Sequence, residues 1–515
     1  MTRRFNYPPA RVALALRITT GCQPIHATRE YSLIEIGRGR GWHALSERTM
    51  TNKVVSTTAI LLSSIILMAS ASTAADGDNL TELRLATFAA DVTCPIGHPL
   101  LGGLYDPATQ IVDPLFARGI VLSGAGSPIV LCAVDWCEIR NGSFDAWRES
   151  LADAAETSRE RVLVCSLHQH DAPVTDLSAA RLLSAAGLAG AMFDIEFERA
   201  CIERTAAALR EGLKESQIIT HLGIGQSKVE RIASNRRVVR EDGSVHYHRG
   251  SNSGGDAYLR EAPDGSIDPL LKTLSFWNGD RPIAALHAYA VHPMSYYGKG
   301  GVSADFVGLA RRIAQQASPS IFQIYVSGCS GDVTAGKYND GSPANRTVLA
   351  DRLWQAIKRA QVATRRLPLK EVNFRNTQLV LPFRRSESHT AEALQQTVAN
   401  SDARKRDRIL AAMGLASLQR TRSGQAIDFP CIDFGTAQIL LFPGETWVGY
   451  QLKAQEQRPN SHVISIGYGE CWPGYIPTAQ GFVDRFDNVW YWVGPGSDQL
   501  LNAALERVLP KEGTP

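Results

Sequence analysis

Three titratable side chains cluster in VLVCSLHQHDAP, residues 162–173: His168, His170 and Asp171 close an apolar run that Pro173 stops. Two imidazoles one residue apart on an extended chain point to the same side of the backbone. One of them can then grip a metal while the other works beside it as a base or a substrate donor. Taken singly, either ring also reads as a satisfied structural histidine. A second apolar run ends the same way: LHAYAVHPM, residues 286–294, places His292 before Pro293. His287 lies five residues earlier, faces the other side of the strand among apolar neighbours, and reads as structural.

Two further stretches offer chemistry at strand ends. VSGCSGDVTAGKYNDG, residues 326–341, runs from a strand into a glycine-rich polar turn. Gly328 and Gly331 permit close backbone approach, and free N–H groups there would hold an oxyanion. Asp332 adds a carboxylate and Thr334 a hydroxyl, while Ser330 lacks the GxSxG elbow of a serine hydrolase. A tight strand-to-helix turn is the plain alternative. ILLFPGETWVGY, residues 439–450, ends a strand at Pro443-Gly444 and then presents Glu445. That carboxylate is either a ligand or a helix-start residue favoured by the dipole, and spacing alone leaves both open. GYGECWPGYIPT, residues 467–478, is loop-like, and its Tyr475 reads as packing. Two strand-exit histidines, a strand-exit carboxylate and a glycine-rich turn together predict one metal site at one edge of a sheet. Zinc held by two His and one Glu with an open position lowers the pKa of a bound water to about 7. There is no HExxH helix, so the layout is not that of the usual zinc peptidases.

Positioning these residues takes alternating strands and helices. GIVLSG and PIVLCAVDW read as a strand pair, FDAWRESLADAAETS as a helix, and RVLVCSLHQH as the next strand. FERACIERTAAALREGLKES and DFVGLARRIAQQA read as helices, and PIAALHAYAVHP and IFQIYVSG as strands. The predicted fold is a single large layered α/β domain with a mixed sheet, spanning 76–515. Residues 384–422 are expected to form helices covering an edge or a lid. No internal repeat is visible.

The N-terminal region reads differently. From Met50 the chain shows one lysine, an apolar core and a tail of small residues, the build of a secretory signal peptide over 50–75. Residues 1–49 are then expected to be an upstream extension from a misassigned start. Without residues 1–75 the formal charge moves from +3 to −3, so nothing asks for nucleic acid or an anionic membrane surface. An exported chain with no transmembrane span after residue 75 is expected, periplasmic or secreted. Eight cysteines follow the leader (94, 132, 137, 165, 201, 329, 431 and 471), and most read as buried thiols.

These stretches, taken in order, resemble the neutral/alkaline (non-lysosomal) ceramidase family. LATFAADVTCPIGHPLLGG with VDPLFARGIVL is similar to its N-terminal opening, and SLHQHDAP to its paired-histidine segment. IDPLLKTLSFWNGDRPIAALHAYAVHPMSYYGKGGVSADFVGLARR resembles its second-histidine region, GCSGDVTAG its catalytic turn, and LFPGETWVGY…GYIPT its Glu and Tyr ligand segments. The resemblance runs from about Leu83 to the C-terminus. It implies Zn2+ held by His168, His292, Glu445 and Tyr475, His170 as acid/base, and Arg236 orienting the substrate amide. It implies Asp135 and Asp305 as supports of the ligands, and hydrolysis of an N-acyl amide to a fatty acid and sphingosine. Two positions depart: Thr334 stands where the family carries serine, and Asp171-Ala172 follow the histidine pair in place of Ser-Gly. Asp171 is so close that it is expected to tune His170 or to change what the pocket accepts. The family's C-terminal β-sandwich is expected to be absent. The expected activity is an exported zinc amidohydrolase acting on a small-molecule or lipid-like N-acyl substrate. The alternatives are a related metal hydrolase on another amide or ester, and an exported binding protein on the same scaffold.

Overall fold

The computed structural model describes residues 82–512. The expected upstream extension and signal peptide lie outside the described residues. The architecture is mixed α/β, as predicted, and it is built from one arrangement used three times. Strands Phe116–Ser123 and Ile129–Val134 form an antiparallel pair; helix Asn141–Ala155 then returns the chain to Val162–Ser166, which lies parallel to the second of them. Leu270–Asn278, Arg281–Tyr289, helix Asp305–Ala317 and Phe322–Ser327 repeat this course. Ile427–Asp433, Ala437–Leu441, helix Val448–Gln457 and His462–Ile466 repeat it again. An earlier antiparallel strand flanks each hairpin: Arg84–Asp91, His221–Lys228 and Asn373–Leu379 respectively.

Each parallel strand is a short apolar run, as a strand covered on both faces must be. One face of all three sheets meets in a shared core through Leu131, Leu163, Leu286, Ile324, Ile439 and Ile464. The other face of the first sheet packs on helices Asn141–Ala155 and Ile195–Lys214 through Trp147 and Leu209. Helix Lys405–Arg422 buries Ile409, Ala412, Met413 and Ala416 in a cluster with Phe429 and Leu440 of the third sheet. It therefore covers a face of the third sheet, where an edge or a lid was expected.

The C-terminal ends of the three parallel strands are tied into a ring. Ser166 N–H donates to Tyr468 O at 3.0 Å and Gly467 N–H to Ser327 O at 2.9 Å. Ser327 Oγ closes the circuit on Leu167 O at 2.8 Å. The chain leaves every one of these strands at this ring, so side chains far apart in sequence are delivered to one place. Strand ends are where open α/β sheets bind ligands.

Candidate metal centre and the cleft beside it

His168, His292 and Glu445 follow three different strands, one from each repeat, and meet at the ring. His168 Nε2 and His292 Nε2 are 3.1 Å apart. Glu445 Oε2 stands 3.0 Å from His292 Nε2 and 3.4 Å from His168 Nε2. His168 is 1 % exposed, and His292 and Glu445 are fully buried.

The second nitrogen of each ring decides what these atoms are. His168 Nδ1 lies 3.0 Å from Cys137 O, and His292 Nδ1 lies 2.6 Å from Ser330 O. A carbonyl oxygen only accepts, so both Nδ1 atoms carry the proton and both Nε2 atoms present lone pairs. Burial, then the charge of Arg236, pushes His292 down to about 4, which keeps its ring neutral. Glu445 is buried beside both rings, with its Oε2 facing the two Nε2 lone pairs. Two lone pairs and a carboxylate oxygen thus face one another with no proton to separate them, an arrangement that a cation satisfies. Ligands about 2.0–2.1 Å from a tetrahedral ion stand about 3.3 Å apart, and the three observed separations fit that spacing. Glu445 Oε1 has no hydrogen-bond partner, so carboxylate capacity remains for an ion.

The local backbone is bent to make this meeting. His168 sits at φ 71°, the left-handed region a non-glycine side chain adopts only when its surroundings enforce it. The strand ends at Ser166, so strand alternation does not place His168 and His170 together as the sequence reading held. The turn does, leaving their rings 5.3 Å apart and perpendicular. Glu445 is set by a two-residue parallel pairing with Tyr475, whose ring stacks on His292 at 6.2 Å.

The glycine-rich turn serves differently from its sequence reading. Gly328 N–H donates to Tyr289 O at 2.9 Å and Gly331 N–H to Thr446 O at 3.1 Å, so neither is free for an oxyanion. Gly331 is glycine because a Cβ there would stand 2.1 Å from Glu445 O. Asp332 pins the turn to the next repeat, accepting from Asn235 Nδ2 and from Val448 N–H at 2.8 Å each. Thr334 is buried, bridges the backbone of His292, and leaves Oγ1 without a partner. Ser330 Oγ bonds Tyr468 Oη at 2.7 Å and has no base.

The expected supporting carboxylates do not touch the ligand histidines. Asp135 takes both guanidinium nitrogens of Arg311 at 2.6 Å, inside the fold. Asp305 binds Ser295 N–H at 3.0 Å, and Asp171 binds Gly298 N–H at 2.8 Å. Both hold the loop that carries Tyr297, with Arg346 between them at 3.4 Å from Asp171 and 3.7 Å from Asp305. Among these contacts Asp171 makes none with His170; it orders the wall opposite. Arg236 turns toward the centre: burial opposes its charge, but Tyr475, Glu445, Tyr468 and Tyr297 around it raise its pKa. His287 is structural, bonded to Thr273 Oγ1 at 2.9 Å and Gln323 Oε1 at 2.8 Å.

Three neighbours were not legible. Tyr468 stacks on His168 with ring centroids 4.2 Å apart and touches His292 Nδ1 at 3.2 Å. Glu138, buried and bonded to Arg140 at 2.8 Å, stands 4.0 Å behind His168 Nδ1. Tyr297 meets the His170 ring at 5.1 Å. The only signal for Tyr468 was its place two residues past a buried strand, the position His168 also holds.

No protein-family model matches the chain, and no curated protein matches it. Solved structures do. A crystal structure of neutral ceramidase from Pseudomonas aeruginosa superposes with a TM-score of 0.61 at 15% identity, covering 83% of this chain and 74% of that one. A structure described as ceramidase complexed with C2 gives the same TM-score and identity, over 83% of this chain and 75% of that one. The chain has the fold of these ceramidases. No helix among the described residues is long and apolar enough to cross a membrane.

A second group, Cys137, His168 and His170, also lies within ligand distance. Burial, then Glu138, pushes the Cys137 thiol well above its usual range, and His168 Nδ1 is already committed to Cys137 O. Cys137 is a poor ligand while it keeps its proton. Metal analysis of Cys137→Ala is expected to match the wild type; loss of metal there would move the centre to this group.

Proposed function

We propose that this chain is an exported zinc-dependent amidohydrolase that cleaves an N-acyl amide. The observation that carries the reading is the convergence of His168 Nε2, His292 Nε2 and Glu445 Oε2 within 3.4 Å of one another. Two neutral imidazoles and one carboxylate form the donor set of catalytic zinc sites that keep an open position. The ceramidase likeness supports the same chemistry, and a binding protein on this scaffold would not need the donors to meet. Zinc, when bound, polarises a substrate carbonyl and acidifies water.

The chain's own residues are assigned as follows. His170, half-buried with Nδ1 unpartnered, accepts a proton from the attacking water and passes it to the leaving amine nitrogen. Burial, then the neighbouring His168 and His292, lowers its pKa well below the usual imidazole range, so the ring rests neutral. Arg236 positions the amide. Tyr475, stacked on His292 and set beside Glu445 by the strand pairing, offers its O–H to the carbonyl oxygen as charge develops. This gives Tyr475 a donor's role in place of the ligand role implied by the ceramidase resemblance. It also supplies what the committed N–H groups of Gly328 and Gly331 cannot.

Amide hydrolysis by the zinc-loaded full chain tests the reading. His170→Ala is expected to lower kcat by about a hundredfold to ten-thousandfold while keeping its zinc. Unchanged kcat in that variant removes His170 from the reaction, and a zinc-loaded wild type without amidase or esterase activity removes the reading.

A further inference from the structure

With His168, His292 and Glu445 buried, His170 is the histidine of the site that reaches the surface. Its ring meets Tyr297 at 5.1 Å and Tyr105 at 6.5 Å, and these two tyrosines stand 5.8 Å apart. Both line a cleft of about 680 Å³, which these ring contacts place beside His170. Any amide delivered to the centre by this route carries the rest of its molecule through that cleft.

The lining is unlike that of a lipid channel. Leu104 supplies its one aliphatic side chain; Asp106, Ser251, Asn252, Tyr297 and Lys299 supply donors and acceptors. Ser251 Oγ and Tyr297 Oη bond each other at 2.6 Å, which fixes that hydroxyl pair in the wall. Asp171 and Arg346 hold the loop behind it, so the wall is ordered before any ligand arrives. An alkyl chain gains about 0.8 kcal/mol per methylene only where apolar wall receives it. In this cleft it would instead lie against hydroxyl, amide and charged groups that give it no such gain. Hydroxyl groups are both donors and acceptors, and they suit a lining of mixed sign with tyrosine faces beside it.

We propose that the amide cleaved at this centre is a short-chain N-acyl derivative of a hydroxylated amine, its hydroxyls held by Asn252, Asp106 and the Ser251–Tyr297 pair. The inference rests on the amidohydrolase reading and replaces the two-tailed lipid with a polar substrate. In the reaction the amide C–N bond breaks and the water oxygen forms the new C–O bond. The products are a short carboxylic acid and the free hydroxyamine, whose nitrogen takes its proton from His170.

The test uses the zinc-loaded full chain and four amides: N-acetylethanolamine, N-acetylglucosamine, N-acetylbutylamine and a hexadecanoyl ceramide in mixed micelles. At least one of the first two is expected to exceed both others in kcat/KM by about tenfold or more; which one wins separates an open-chain amine from a sugar. Asn252→Leu and Asp106→Leu are expected to raise KM for that substrate about two- to tenfold, the worth of one hydrogen bond, with kcat nearly unchanged. Preference for the ceramide or the butylamide overturns the inference and leaves the amidohydrolase standing, as does a KM that neither substitution moves. Hydrolysis of none of the four by zinc-loaded enzyme overturns the inference as well, and the absence of esterase activity beside it overturns the hydrolase reading.

Discussion

Glu445→Gln is expected to reduce amide hydrolysis by about a thousandfold or more and to weaken zinc retention. Glutamine keeps the shape of the side chain and its place in the pairing with Tyr475, so packing changes little. What disappears is the negative charge that offsets the ion beside two neutral imidazoles. Zinc supplies several kcal/mol of transition-state stabilisation, and each 1.36 kcal/mol is a factor of ten, which sets the scale. Zinc content after dialysis and kcat/KM on the same preparation check it. A variant that keeps both contradicts the assignment of Glu445 as a ligand.

Gly331→Ala is expected to damage the site without touching a ligand side chain. The new methyl group would lie 2.1 Å from Glu445 O and 2.9 Å from Trp447 Cδ1. The first neighbour is backbone and cannot swing away, so the strand end that carries Glu445 must shift. Overpacking of this kind costs about 1–3 kcal/mol, and a displacement of 1 Å is enough to spoil a metal site. The midpoint of denaturant unfolding should fall and zinc content should fall with it. Gly250→Ala is the control, since a Cβ there meets nothing within 4 Å. Equal stability and zinc in the two variants would mean that the turn yields where the backbone contact says it cannot.

Much of the fold was legible because it is written in local pattern. Short apolar runs marked the strands Ile129–Val134 and Phe322–Ser327, and the helix Asp305–Ala317 coincides with DFVGLARRIAQQA. The threefold repetition was not legible, because the repeats share a course of strands and helix and no run of residues. The candidate ligands were legible for a related reason: each follows the end of a buried strand. Spacing could not choose between ligand and cap for Glu445; resemblance did, and the meeting of the three donors supports that choice.

The failures share one cause. Gly328 and Gly331 were read from their neighbours in sequence and Asp135 from the resemblance, whereas their partners are Tyr289, Thr446 and Arg311. Buried polar groups must be satisfied by whatever the tertiary structure brings, and that is invisible along one segment. Tyr468, Glu138 and Tyr297 were missed for the same reason, since they act on His168 and His170 only once the repeats converge. The polar cleft, built from Tyr105, Asn252 and Tyr297, joins segments that no motif links.

The most direct test of the central claim is the metal content of the purified full chain, wild type beside His168→Ala. The account predicts about one zinc per wild-type chain and little in the variant, with other metals low in both. A folded wild type that carries no zinc and takes up none when it is supplied would contradict it.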